Sequence, residues 1–112
     1  ASRSILAAST RPDAVVGADD LIALGVLQSC QALGLSVPGD VMVTGFDDIP
    51  FSALSNPPLT TIRQPQERIA EEATRLLDQA MNSDHTGTAH IALQPELVVR
   101  QSTVGHARVA AV

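Results

Sequence analysis

Lysine, tryptophan and tyrosine are all absent from this 112-residue chain, which has one cysteine and two phenylalanines. Each gap removes a chemistry. Without lysine there is no Walker phosphate loop, no Schiff base and no receiver-domain lysine. Seven arginines are scattered among twelve acidic residues for a net charge of −5. Phosphate backbones need a clustered basic footprint, so nucleic acid is not expected to bind these residues directly. Cys30 has no intrachain disulfide partner, which fits a reducing, cytoplasmic setting, and it reads as a small buried hydrophobe. Aromatic stacking could come only from Phe46 and Phe51. No apolar run reaches the ~20 residues that span a bilayer, and residues 2–9 are too weakly apolar for a secretory signal. Neither a Gly-x-Ser-x-Gly elbow nor a His-Glu-x-x-His pair occurs. The length suits one small domain with a modest core.

What remains is organised around strand ends. Residues 14–18, AVVGA, form a short apolar run that ends in Asp19 and Asp20. Residues 41–46, VMVTGF, form a second run that ends in Asp47 and Asp48. The first run has no clean alternation, as expected of a strand buried on both faces of a parallel sheet. Between them a helix is expected from an Asp19 or Asp20 cap to about Leu33, closed by a left-handed Gly34 and an apolar Leu35. A strand–helix–strand unit crosses over right-handed, so both acidic tips should reach one sheet edge. Ligands of open α/β sheets bind at that edge. The helix carries Leu21, Ile22, Leu24, Val26, Leu27, Cys30 and Leu33 in nearly every direction. One side should cover the sheet and the other a further domain or second subunit.

Residues 4–9 read as the last turns of a helix, and residues 49–58 as an unusually apolar loop. Residues 59–63 are β-rich, and Pro65 suits the first turn of an amphipathic helix over 66–81, with Glu71 and Arg75 at a favourable i,i+4 spacing. Strands are expected at 90–93 and 96–100, separated by Pro95, followed by a dangling tail. His85, His90 and His106 lack metal-ligand spacing. The four carboxylates at the strand ends could in principle hold Mg²⁺ for phosphoryl chemistry, but no lysine is available to neutralise a phosphate and no Ser, Thr or His is placed as a partner.

Three stretches, residues 11–50 (RPDAVVGADDLIALGVLQSCQALGLSVPGDVMVTGFDDIP), 57–65 (PPLTTIRQP) and 96–103 (ELVVRQST), resemble the C-terminal part of the lactose-repressor/galactose-repressor (LacI/GalR) family. The resemblance runs from about Arg11 to Thr103. It implies an α/β, periplasmic-binding-protein-like effector core, incomplete here, with an added amphipathic helix and C-terminal strands. The chain opens on Ala1 and would correspond to the final third of a regulator, without its helix-turn-helix. Residues 1–63 would belong to the C-terminal lobe, 64–90 would cross into the N-terminal lobe, 91–103 would return, and 104–112 would be a disordered tail. A periplasmic sugar-binding component of an ABC transporter shares this fold and is the alternative.

The same resemblance implies roles. Asp47, first carboxylate of the Gly-Phe-Asp-Asp segment, would accept hydrogen bonds from hydroxyls of a sugar or nucleoside-like effector. Asp19 stands where the family usually has an effector-contacting Asn, and a helix cap explains it equally well. Gln64 would line the cleft at the crossover. Asp20 and Asp48 are read as structural caps. Leu24, Gln28, Phe51 and Leu54 would lie in a homodimer interface. No catalytic residue, metal or cofactor is expected, and DNA would be met only through a domain outside these residues.

Overall fold

The computed structural model describes residues 2–82 and 87–105. In chain order the elements are α1 (Ser2–Leu6), β1 (Ala14–Val16), α2 (Asp20–Ala32), β2 (Met42–Thr44), α3 (Pro50–Leu54), β3 (Thr61–Arg63), α4 (Gln66–Asn82) and β4 (Glu96–Val98). They fall into two compact units. One holds the chain up to Arg63 together with the segment from Leu97 onward, and the other is Gln64–Glu96.

In the larger unit, β1 and β2 pair in parallel, with Ala14 opposite Met42, Val15 opposite Val43 and Val16 opposite Thr44. Both acidic tips therefore leave the sheet at one edge, as the strand–helix–strand pattern predicts. The run expected at 41–46 continues beyond β2 on its other side: Gly45 N donates to Thr60 O at 3.0 Å and Asp47 N to Ile62 O at 2.8 Å. A parallel bridge between Thr44 and Thr60 joins this pair to the β3–β4 sheet. Ser102 stitches the junction, its Oγ donating to Val43 O and accepting from Thr60 N.

The helix α2 lays Ala23, Val26, Leu27 and Cys30 on this sheet, an i, i+3, i+4, i+7 stripe. With Leu6, Val41, Val43 and Leu59 these residues form the buried core. Its opposite side leaves Leu21 and Ile22 exposed. The helix ends as expected: Gly34 takes φ +67°, Gly34 N donates to Gln31 O and Leu35 N to Cys30 O, which satisfies the last carbonyls.

Three expectations need correction. The apolar loop over 49–58 contains a helix, α3, because Pro50 at its first position pre-sets a helical φ. Residues 90–93 form no strand; they run as irregular chain, and Ile91 and Leu93 line one open recess together with Ile69, Ala73 and Leu76 of α4. Arg75 pairs with Glu72 at 2.7 Å, not with Glu71, because the i,i+3 partner reaches both Nε and Nη2 of the guanidinium. His90 is exposed. His85, His106 and most of the expected tail lie outside the described residues.

Candidate functional site

The site is built where β1 and β2 end. Gly17 N donates to Thr44 O at 2.8 Å and Asp20 N to Phe46 O at 2.9 Å, so the two tips are tied main chain to main chain. Glycine is needed on both. A Cβ on Gly17 would sit 2.9 Å from Ala23 Cβ, and one on Gly45 would overlap Asp20 Oδ1. The absent side chains let the start of α2 press against the strand ends.

The helix N-cap is Asp19, whose Oδ1 accepts from Ile22 N at 2.7 Å. The cap role assigned to Asp20 is therefore corrected. Asp20 is buried at 1% exposure and works as a tertiary acceptor. It takes Ile49 N (2.9 Å) and Ser52 Oγ (2.5 Å) on Oδ2, and Thr61 Oγ1 (2.5 Å) on Oδ1. One carboxylate thus binds the start of α2 to α3 and β3, supplying a partner for two buried hydroxyls.

Asp47 and Asp48 form a turn in which both are left-handed, at φ 110° and 55°. Non-glycine residues in such conformations cost about 1–3 kcal/mol each unless their surroundings hold them. Here the surroundings do. Asp48 does not cap the following loop, as was expected of it; its Oδ1 accepts from Arg100 Nη2 and its Oδ2 from Arg63 Nε, both at 2.7 Å. Burial pushes the Asp48 carboxyl up, but the bonds and charges of Arg100 and Arg63 outweigh it and leave its pKa below the ordinary value. Arg100 also donates from Nη1 to Leu59 O at 2.9 Å.

Asp19 and Asp47 therefore stand half-buried on adjacent strand ends of one edge. Gln64 is the first residue of the smaller unit, where its carbonyl accepts from Gln66 N at 2.9 Å ahead of α4. Leu24 packs against the core from a half-buried position and Gln28 is exposed. Phe51 and Leu54 project outward at 66% and 79% exposure. At the strand ends themselves, Val16, Ala18, Phe46, Ile62 and Leu97 line an apolar recess of about 450 Å³ whose lining includes neither Asp19 nor Asp47. Arg100, Ser52 and Thr61 are the contributors that sequence reasoning misses. The one signal for Arg100 is an arginine inside the β-rich run ELVVRQST.

Among the described residues no group of three or more His, Cys, Asp or Glu could hold a metal ion. No described helix is long and apolar enough to cross a membrane.

Comparison with known proteins places these features. The profile of the periplasmic binding protein-like domain matches residues 1–103. The lactose operon repressor of Rhizobium radiobacter is 42% identical over 101 residues, covering 90% of this chain and 88% of that protein. The transcriptional regulator MalR of Streptomyces coelicolor is 44% identical over 90 residues, covering 80% of this chain. The chain spans only 26% of MalR's length. Among solved structures, the complex of the transcriptional regulator CelR with cellobiose superposes with a TM-score of 0.84 at 36% identity, over 91% of this chain and 31% of that one. With its parallel strand pair, its shared acidic edge and these relatives, the chain belongs to the lactose-repressor/galactose-repressor family of transcriptional regulators and matches part of their periplasmic-binding-protein-like effector domain.

Proposed function

We propose that this chain senses a small, hydroxyl-rich effector, a sugar or nucleoside-like molecule, within a transcriptional regulator, and that it catalyses no reaction. The observation that carries the reading is Asp47, a carboxylate on a braced left-handed turn at the shared edge of two parallel strands. An ionised carboxylate accepting from two vicinal hydroxyls gives orientation as well as energy. The cellobiose seated in CelR supports a sugar as the effector class. Asp19 contributes as a second acceptor beside its cap, and Gln64 joins from the crossover.

The division of the chain after Arg63 and again before Leu97 supports a two-lobed reading. Residues 1–63 belong to one lobe and 64–90 cross to the other; the return, expected from residue 91, is set at Leu97 by that division. Effector closes the lobes and shifts the population between DNA-binding-competent and incompetent states. Leu24, Gln28, Phe51 and Leu54 form the homodimer contact, and DNA is met through other parts of the regulator. The relatives are regulators, so a transporter component is not favoured.

The test is calorimetric titration of the full-length protein with cellobiose, sucrose, glucose, lactose, adenosine and cytidine. Asp47→Asn keeps tolerance of the left-handed turn but exchanges charge-assisted bonds for neutral ones. It should weaken the bound effector about tenfold. Wild-type affinity in that variant removes Asp47 from the site, and no binding by any compound class refutes the sensor.

A further inference from the structure

Two consecutive aspartates at positive φ would relax to ordinary backbone in a free loop. Their restraints differ. The Asp47 backbone N donates to Ile62 O at 2.8 Å, and the Asp48 side chain accepts from two guanidiniums. Those guanidiniums are not equivalent. The Arg63 side chain is 50% exposed and the Arg100 side chain 17%. Arg100 is itself anchored at further points: Nη1 to Leu59 O at 2.9 Å, backbone N to Thr60 Oγ1 at 2.8 Å, and backbone O accepting from Thr60 Oγ1 at 2.9 Å. It is therefore a strut running from the entrance of β3 to the carboxylate next to the candidate ligand contact.

We propose that Arg100 is a positioning residue for effector binding: by gripping Asp48 it fixes the left-handed turn and so the direction in which the Asp47 carboxylate leaves the sheet edge. The proposal rests on Asp47 being the ligand contact. The chemistry requires arginine in particular. Its planar fork serves Leu59 O and Asp48 Oδ1 at once from different nitrogens, a fixed two-point geometry that a lysine ammonium, a single point charge on a flexible stem, does not reproduce. Arg100→Lys thus keeps the charge and removes the geometry.

The experiment is NMR on the full-length protein, reading amide hydrogen exchange and the three-bond HN–Hα coupling at Asp47, with Val43 and Leu59 as core references. In Arg100→Lys, exchange at Asp47 should rise at least about tenfold relative to Val43 and Leu59, and its coupling should move from the wild-type value. Asp48→Gly, which removes both acceptor oxygens, tolerates the positive φ and leaves the bonds from Arg100 to Leu59 and Thr60 in place, should give the same local signature and covers the case in which the lysine variant does not fold. Wild-type protection and coupling at Asp47 in both variants would overturn the proposal. So would a rise at Val43 equal to that at Asp47, since the arginine would then serve overall stability only. Neither measurement uses a ligand. A failure of the ligand-contact reading shows separately, as unchanged sugar binding by Asp47→Asn while the Arg100→Lys signature persists.

Discussion

Replacing Asp20 by alanine separates a helix cap from a tertiary acceptor by size alone. A lost N-cap costs typically about 1 kcal/mol. Asp20 instead receives three hydrogen bonds, two from the buried hydroxyls of Ser52 and Thr61 and one from Ile49 N. Bonds to a charged group are worth roughly 1.5–3 kcal/mol each. Removing the carboxylate also relieves the desolvation of a charge at 1% exposure, which offsets part of the loss. The net cost should be about 3–5 kcal/mol, out of roughly 6–17 kcal/mol for a chain of this length. Asp20→Asn should recover part of the loss, because its oxygen can keep Ile49 N and Ser52 Oγ while its amide nitrogen donates to the Thr61 hydroxyl, exchanging charge-assisted bonds for neutral ones at a cost of about 1–2 kcal/mol. Urea unfolding followed by circular dichroism measures both, with Asp19→Ala as the cap reference at about 1 kcal/mol. The reasoning is refuted if Asp20→Ala costs no more than Asp19→Ala, or if Asp20→Asn matches wild type.

Gly45→Ala should destabilise by about 1–3 kcal/mol, because the added carbon overlaps Asp20 Oδ1 and lies 3.0 Å from Leu59 Cδ2. Gly25→Ala, whose added carbon meets nothing within 4 Å beyond its chain neighbours and its own helix backbone, should stabilise α2 by about 0.5–1 kcal/mol; thermal melts of the two variants should move in opposite directions. The folded pKa of Asp48 lies below its unfolded value of about 3.9. Its contribution to stability is therefore full above that value and is lost as pH falls through the folded pKa, so wild type and Asp48→Asn should converge in acid and diverge near neutrality. Leu54→Glu places a charge on a 79% exposed apolar side chain and should lower the mass of the full-length protein toward monomer by sedimentation, with little change in melting temperature.

The elements that rest on local chemistry are legible in the sequence. The stop signal at Gly34-Leu35, the proline before α4 and the apolar runs before each aspartate pair all declare themselves within a few residues. The parallel edge follows from those runs by handedness alone. The family motifs added the candidate role of Asp47, which no composition argument yields. The carboxylates that hold the edge together are another matter. Asp20 finds Ser52 and Thr61 at separations of 32 and 41 residues, and Asp48 finds Arg100 at 52. Nothing near an aspartate in the chain announces such a partner, so the cap, the nearest local explanation, wins by default. The same bias hid α3, whose five residues are too few for a periodic pattern.

None of the side chains of α4 is buried, although Ile69, Ala73 and Leu76 line one flank of it. A seventeen-residue helix with so little packed against it draws most of its order from its own hydrogen bonds, which in water is marginal. Trypsin has two cleavage points inside it, after Arg68 and Arg75. The speed of those two cuts therefore gauges how firmly that flank is occupied: fast digestion marks a bare helix, and a tenfold delay on adding a binding partner corresponds to about 1.4 kcal/mol of protection at the helix itself.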